Sequence, residues 1–189
     1  MSDQRISIIH EWVDEWIIKE NFCPFAQPAR HQEKIDIVIN DDTSWSRIYE
    51  ALRKECQSLL TSKTKTTTLF ALGRACTDFF DYLSLLDGAQ ALLEQEGWLG
   101  TFQLASFHPD YVFEGENEDS PTHYTNRSPL PVLHILKEDE VARVIKSQSQ
   151  ADDIVIRNQH RLEEIGISKA EEQLKHWQTA IQNAKQIEC

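Results

Sequence analysis

The segment KIDIVIN, residues 34–40, alternates polar and apolar β-branched residues, a pattern that is typical of a β-strand. Two more apolar segments follow, TTTLFAL at residues 66–72 and TFQLASF at residues 101–107. Residues 43–61 and 78–96 lie between these segments and carry apolar residues at helical spacing. A strand–helix–strand–helix–strand order with short connections predicts a parallel sheet with right-handed crossovers.

Further elements are predicted on both sides of this unit. Residues 6–20 have the spacing of an amphipathic helix. PVLHIL, residues 131–136, is interpreted as a fourth strand, the alternative being a lead-in to a helix at residues 138–147. Two more helices follow, one beginning near Asp152 and one opening with the capping box SKAE at residues 168–171.

The chain has the length and continuity of one domain. Its 189 residues can bury a core without disulfides or a structural metal, and no Gly-, Ser- or Pro-rich linker divides them. We therefore expect a single α/β domain over residues 1–189. Its sheet is predicted to be mostly parallel or mixed, with about four strands flanked by helices. The extra C-terminal helices, about residues 150–186, either pack on this domain or form an appendage.

Composition indicates an acidic cytoplasmic protein. A formal net charge of −12 argues against a nucleic-acid partner and against an anionic membrane surface, since both require clustered Lys and Arg. The N-terminal segment is interrupted by acids, unlike a signal peptide, and no apolar run has the length of a bilayer span. The glycine motifs of nucleotide-binding loops and the Gly-x-Ser-x-Gly motif of serine hydrolases do not occur.

Candidate site residues lie around the polar segment between residues 108 and 134. His108 directly follows a predicted strand, where a histidine suits a general acid–base role or a metal ligand, or bonds the backbone. Arg127 either pairs with a neighbouring acid and holds the loop or binds the carboxylate or phosphate of a substrate. His134, flanked by apolar residues, is a core histidine or a second functional imidazole. Together with Asp110, the two histidines would suit zinc or iron.

Cys23, in the segment NFCPFA, is the fourth candidate. It is interpreted as a buried turn residue, or as a nucleophile if its surroundings lower the pKa of the thiol. Cys56 and Cys76 stand among apolar residues and are expected to be buried.

Four segments together resemble a family of bacterial proteins catalogued as domain of unknown function 1415. They are NFCPFAQPA, LASFHPDYVF, TNRSPLPVLHILKE and IVIRNQHRLEEIG, and the resemblance runs from about residue 6 to residue 166. It implies no activity, but it implies that Cys23, His108, Arg127 and His134 stand at motif positions of the family. The chain departs from the pattern at LGRA, where a proline is expected, and at Leu130, where a tyrosine is usual.

These observations predict a small-molecule enzyme with a pocket at the strand ends. His108 would act as acid–base or metal ligand, Arg127 would bind an anionic group, and His134 or Cys23 would assist. A divalent metal is the cofactor that such a site would suit. The alternative is a non-catalytic module that binds a metal, a small ligand or a protein through the loop at residues 109–131. The oligomeric state is left open.

Overall fold

The computed structural model of the protein describes residues 3–187. In chain order its elements are α1 (Gln4–Trp12), a π-helix (Val13–Ile18), α2 (Ala26–His31), β1 (Ile35–Asn40), α3 (Trp45–Thr61), β2 (Thr67–Leu72), α4 (Phe79–Gln95), β3 (Phe102–Phe107), a 3₁₀-helix (Pro121–Thr125), β4 (Val132–Lys137), α5 (Glu138–Val144), α6 (Gln148–Ile165) and α7 (Ile167–Ile187).

The four strands form one mixed sheet in the order β1-β2-β4-β3. β1 and β2 are parallel, whereas β4 runs antiparallel to both β2 and β3. This confirms the predicted α/β architecture with a mixed sheet of about four strands flanked by helices. β3 does not lie beside β2, however, because β4 returns after the long loop and takes the place between them. An antiparallel return needs no crossover helix, so the loop alone can connect the two strands.

Helices cover both faces of the sheet. Leu69, Ala71 and Val132 contribute to one buried cluster with residues of α1, the π-helix and the two C-terminal helices, including Leu162 and Trp177. Alternate strand residues contribute to a second cluster with α3 and α4 on the opposite face. The helices after residue 147 therefore complete one face of the sheet by burying large apolar side chains.

Several local structures differ from those that the sequence pattern predicted. The first helix is not a regular α-helix to residue 20, since it changes to a π-helix at Val13. α2, with six residues, and the 3₁₀-helix were not predicted. The N-cap of α4 is Asp78. Its carboxylate accepts hydrogen bonds from the N–H groups of Phe80 (2.8 Å) and Asp81 (3.1 Å).

PVLHIL forms the strand that we preferred, and a helix follows it directly. Within residues 3–187 no helix has the length and apolar character needed to span a bilayer.

Candidate functional site

The ends of β1, β2 and β3 lie at the same edge of the sheet because these strands run in one direction. His108 follows β3 at this edge and is completely buried. Its Nδ1 accepts a hydrogen bond from the N–H of Asp110 (3.0 Å), so the proton is on Nε2, which donates to the carbonyl oxygen of Cys76 (3.0 Å). Burial lowers the pKa of this imidazole. The ring thus connects the segments that follow β2 and β3 and uses both nitrogens to do so.

His134 lies on β4, opposite Leu69 and Ala105 in the two neighbouring strands. Its Nε2 is 2.6 Å from Oγ1 of Thr67, and that hydroxyl is 2.7 Å from the carbonyl oxygen of Ile135, to which it donates. Since the hydroxyl has one proton, Nε2 must be the donor in the first of these bonds. Nδ1 has no hydrogen-bond partner among the described residues. Burial lowers the pKa of His134 to about 4, so the ring is neutral at neutral pH.

The two histidines belong to opposite faces of the sheet although their strands pair. The ring of His108 lies 5.2 Å from those of Phe79 and Tyr82, which belong to the α4 side. The ring of His134 lies 6.2 Å from that of Phe107, which packs against the other cluster. Among residues 3–187 no group of three or more His, Cys, Asp or Glu side chains could hold a metal ion. The described residues therefore do not assemble the metal site suggested for His108, His134 and Asp110.

Arg127 contacts other parts of its own loop. Its Nε donates a hydrogen bond to the carbonyl oxygen of Tyr111 (3.2 Å), and its guanidinium carbon lies 4.4 Å from the centre of the Tyr124 ring. The side chain thus joins the start of the loop to the 3₁₀-helix through a carbonyl and an aromatic face.

The loop between β3 and β4 is folded rather than solvated. His123 lies within this loop and is completely buried. Its Nδ1 accepts from the N–H of Phe113 (3.2 Å), and its Nε2 donates to the carbonyl oxygen of Asn117 (2.8 Å). Nε1 of Trp16 donates to the carbonyl oxygen of Tyr124 (3.0 Å), which fixes the loop against the π-helix.

Cys23 lies in the turn before α2 and is partly exposed. Its pKa is raised by burial, and hydrogen bonds from the N–H groups of Phe25 and Ala26 only partly offset this. α6 holds the turn in place, because Nδ2 of Asn158 donates to the carbonyl oxygen of Phe22 (2.8 Å). Cys56 and Cys76 are buried, as predicted.

A cleft of about 470 Å³ lies between this turn, the folded loop and α6. Its volume is within the range of small-molecule sites. Apolar and aromatic side chains form most of its wall, and polar groups come from the loop and from α6. The lining residues are Ile17, Phe22, Cys23, Phe107, Phe113, Glu114, Glu116, Thr122, Thr125, Asn126, Val155, Asn158 and Gln159.

A small apolar chamber of about 40 Å³ adjoins the cleft. The two share Ile17, Cys23 and Phe107, and His134 forms part of the chamber wall. Cys23 and His134 are thus brought to one cavity system, whereas His108 and Arg127 do not contribute to the described lining. The sheet thus separates His108 from Cys23 and His134, whereas Arg127 lies over Tyr124 outside the lining.

Most of the cleft wall was not foreseen from the sequence. No local pattern predicted that Phe22, Phe107 and Phe113 would line one cleft. The lining residues of α6, Val155, Asn158 and Gln159, all stand in the motif IVIRNQH, which was the signal available for this side of the cleft.

The comparisons with known proteins give a family without a described activity. The family model "Protein of unknown function (DUF1415)" matches residues 4–172. The chain belongs to this family. Neither a curated protein nor a solved structure matches it. In this DUF1415 protein every lining residue of the cleft falls inside the matched region, from Ile17 to Gln159.

Proposed function

We propose that this protein binds a small, largely apolar molecule in the cleft beside Cys23. The observation that carries the proposal is the cleft itself, because its apolar wall and its volume of about 470 Å³ suit such a ligand. The folded loop supports the proposal, since hydrogen bonds from buried His123 and from Trp16 hold one side of the cleft in place.

The ligand is placed here rather than at His108 or Arg127 because of what those side chains already contact. Both ring nitrogens of His108 bond the backbone, and the guanidinium of Arg127 lies over a ring. An acid–base role for His108 and an anion-binding role for Arg127 stay predictions. Each would require the side chain to give up contacts that join segments of the loop.

Two adjacent residues of α6 provide a matched test. Val155 lines the cleft and is 56% exposed, whereas Ile156 is 53% exposed and lines a separate groove. Val155→Trp should fill the cleft without disturbing the core, and Ile156→Trp should leave the cleft open. With the uncharged probe phenylbutanol, we expect at least about tenfold weaker binding in Val155→Trp and wild-type affinity in Ile156→Trp.

Binding can be followed by NMR titration, with peptide mass spectrometry reporting the alkylation of Cys23. Bound probe should slow the reaction of Cys23 with iodoacetamide, because the thiol lines the cleft. Equal probe affinity in wild type and Val155→Trp would refute the proposed site.

A thiol-dependent enzyme is the second candidate. The observation in its favour is that Cys23 and His134 line the same inner chamber, while two N–H groups point to the sulfur. Its difficulty is electrostatic, since burial raises the pKa of the thiol and lowers that of the imidazole. A rate of alkylation at Cys23 that reaches half its maximum near neutral pH would favour the enzyme. A rate that rises only above the ordinary thiol range would favour binding alone.

A further inference from the structure

Among the residues that the structure describes, all charged side chains that line the cleft are negative. Glu114 and Glu116 line it, and no Lys or Arg belongs to the same lining. Both glutamates are exposed and lie on the loop, so their carboxylates stand where a ligand enters. The other acids of this loop and the formal net charge of −12 add to the negative potential at this position.

The nearest arginines are engaged elsewhere. Arg127 donates to the carbonyl oxygen of Tyr111 and lies over the ring of Tyr124. Arg157 donates to the carbonyl oxygen of Asn21 and to Oδ1 of Asn158 (3.2 Å), and its side chain lines the neighbouring groove of α6.

Burial raises the pKa of the Cys23 thiol, and the positive charge of Arg157 only partly offsets this. The carboxylates of the cleft thus lie on the loop side, whereas Cys23 borders the small apolar chamber. A cationic group is favoured beside the loop, and an apolar group is favoured toward Cys23.

The wall between these two positions suits the body of such a ligand. Phe22, Phe107 and Phe113 line it, and aromatic faces attract organic cations as well as apolar groups. Thr122 and Asn126 belong to the same lining. Oγ1 of Thr122 is 2.7 Å from Oγ of Ser120 and Oδ1 of Asn126 accepts from Oγ1 of Thr125, and each oxygen has a second lone pair that can accept a proton of an ammonium group.

We propose that the ligand of this cleft is a small organic cation, an amine with an apolar or aromatic body. Its ammonium group lies beside Glu114 and Glu116, and its body extends along the phenylalanines toward Cys23. The inference rests on the proposed small-molecule function of the cleft and names the chemical class that it selects. It differs from the anion-binding role that Arg127 suggested, because the arginine is not part of the lining.

Three probes of one shape but different charge test the proposal. Phenylbutylamine, phenylbutanol and phenylbutyrate are titrated into the full chain, and affinities are measured by NMR. We expect the amine to bind more tightly than the alcohol and the alcohol more tightly than the acid. In the double variant Glu114→Gln/Glu116→Gln, the amine should lose about fivefold in affinity, as expected for two exposed ion pairs, and the alcohol should be unaffected. Added salt should weaken only the amine in the wild type.

Glu118→Gln is the matched control, because Glu118 belongs to the same loop but not to the described lining. It should leave the affinity of the amine within about twofold of the wild type. Phenylbutyrate binding as tightly as the amine would overturn the cation proposal, and so would unchanged amine affinity in the double variant. If the alcohol still binds and is lost in Val155→Trp, the small-molecule function survives that result. If none of the three probes binds, both proposals fail.

Discussion

The pKa of His134 links the stability of the fold to pH in a way that can be calculated. Burial lowers this pKa from 6.5 to about 4, so the unfolded chain binds a proton at pH values where the folded protein does not. The contribution of the neutral ring to the free energy of unfolding is therefore complete above the ordinary histidine pKa. It is lost as the pH falls toward the pKa of the folded state. From about pH 7.5 to about pH 5, this difference in proton binding lowers the free energy of unfolding by about 2 kcal/mol. Water in the small chamber beside the ring would reduce this figure.

His134→Gln isolates the effect, because Nε2 of glutamine can still donate to Thr67 but does not titrate. Wild type and variant are unfolded with urea at several pH values, which cancels the contributions of His10 and His108, whose pKa values are also lowered. We expect the free energy of unfolding of the wild type to fall by about 2 kcal/mol more than that of the variant over this interval. Parallel pH dependences would show that His134 is not held neutral by burial, and the reasoning would be refuted.

Substitutions at three further positions test contacts of the loop and the strand ends. His108→Ala should lower the free energy of unfolding by about 2–4 kcal/mol, since it leaves the buried carbonyl of Cys76 and the partly buried N–H of Asp110 without their partner, and urea unfolding measures this. A loss below about 0.5 kcal/mol would contradict the structural role of the ring. Arg127→Ala should cost about 1–2 kcal/mol through the lost contacts with Tyr124 and the loop, and Arg127→Lys should recover only part of this in the same assay. Gly73→Ala should lower the free energy of unfolding, measured by thermal unfolding, by about 1–3 kcal/mol, because the added Cβ would lie 2.0 Å from Oδ1 of Asp41. An unchanged free energy of unfolding would mean that this carboxylate moves freely.

The sequence predicted those elements whose pattern is local. One alternating segment and three short apolar segments located the four strands, and helical spacing located α3 and α4, because these patterns reflect which side chains are buried. The position of β4 could not be predicted, since the order of strands depends on how the long loop turns and on what it packs against. The change to a π-helix at Val13 had no local signal either, and this π-helix carries Trp16, whose indole N–H bonds the loop.

Prediction of the site was limited for a related reason. His108 and His134 were correctly placed at the end of one strand and within the next, but their side of the sheet follows from register. With Phe107 opposite Val132, residues 108 and 134 point to different faces. The burial of His123 and the alignment of Val155 with the cleft depend on tertiary contacts of the loop and α6, which leave no local pattern.

The place of β4 between β2 and β3 sets an order for folding during synthesis. β3 pairs only with β4, so a nascent chain that ends before Val132 has a strand with no neighbour in the sheet. Residues 132–137 therefore have to leave the ribosome before β3 can join the sheet. The cleft is completed later still, when α6 emerges and Asn158 bonds the carbonyl oxygen of Phe22. A chain truncated between these points would contain all four strands but would lack the wall of the cleft that α6 provides.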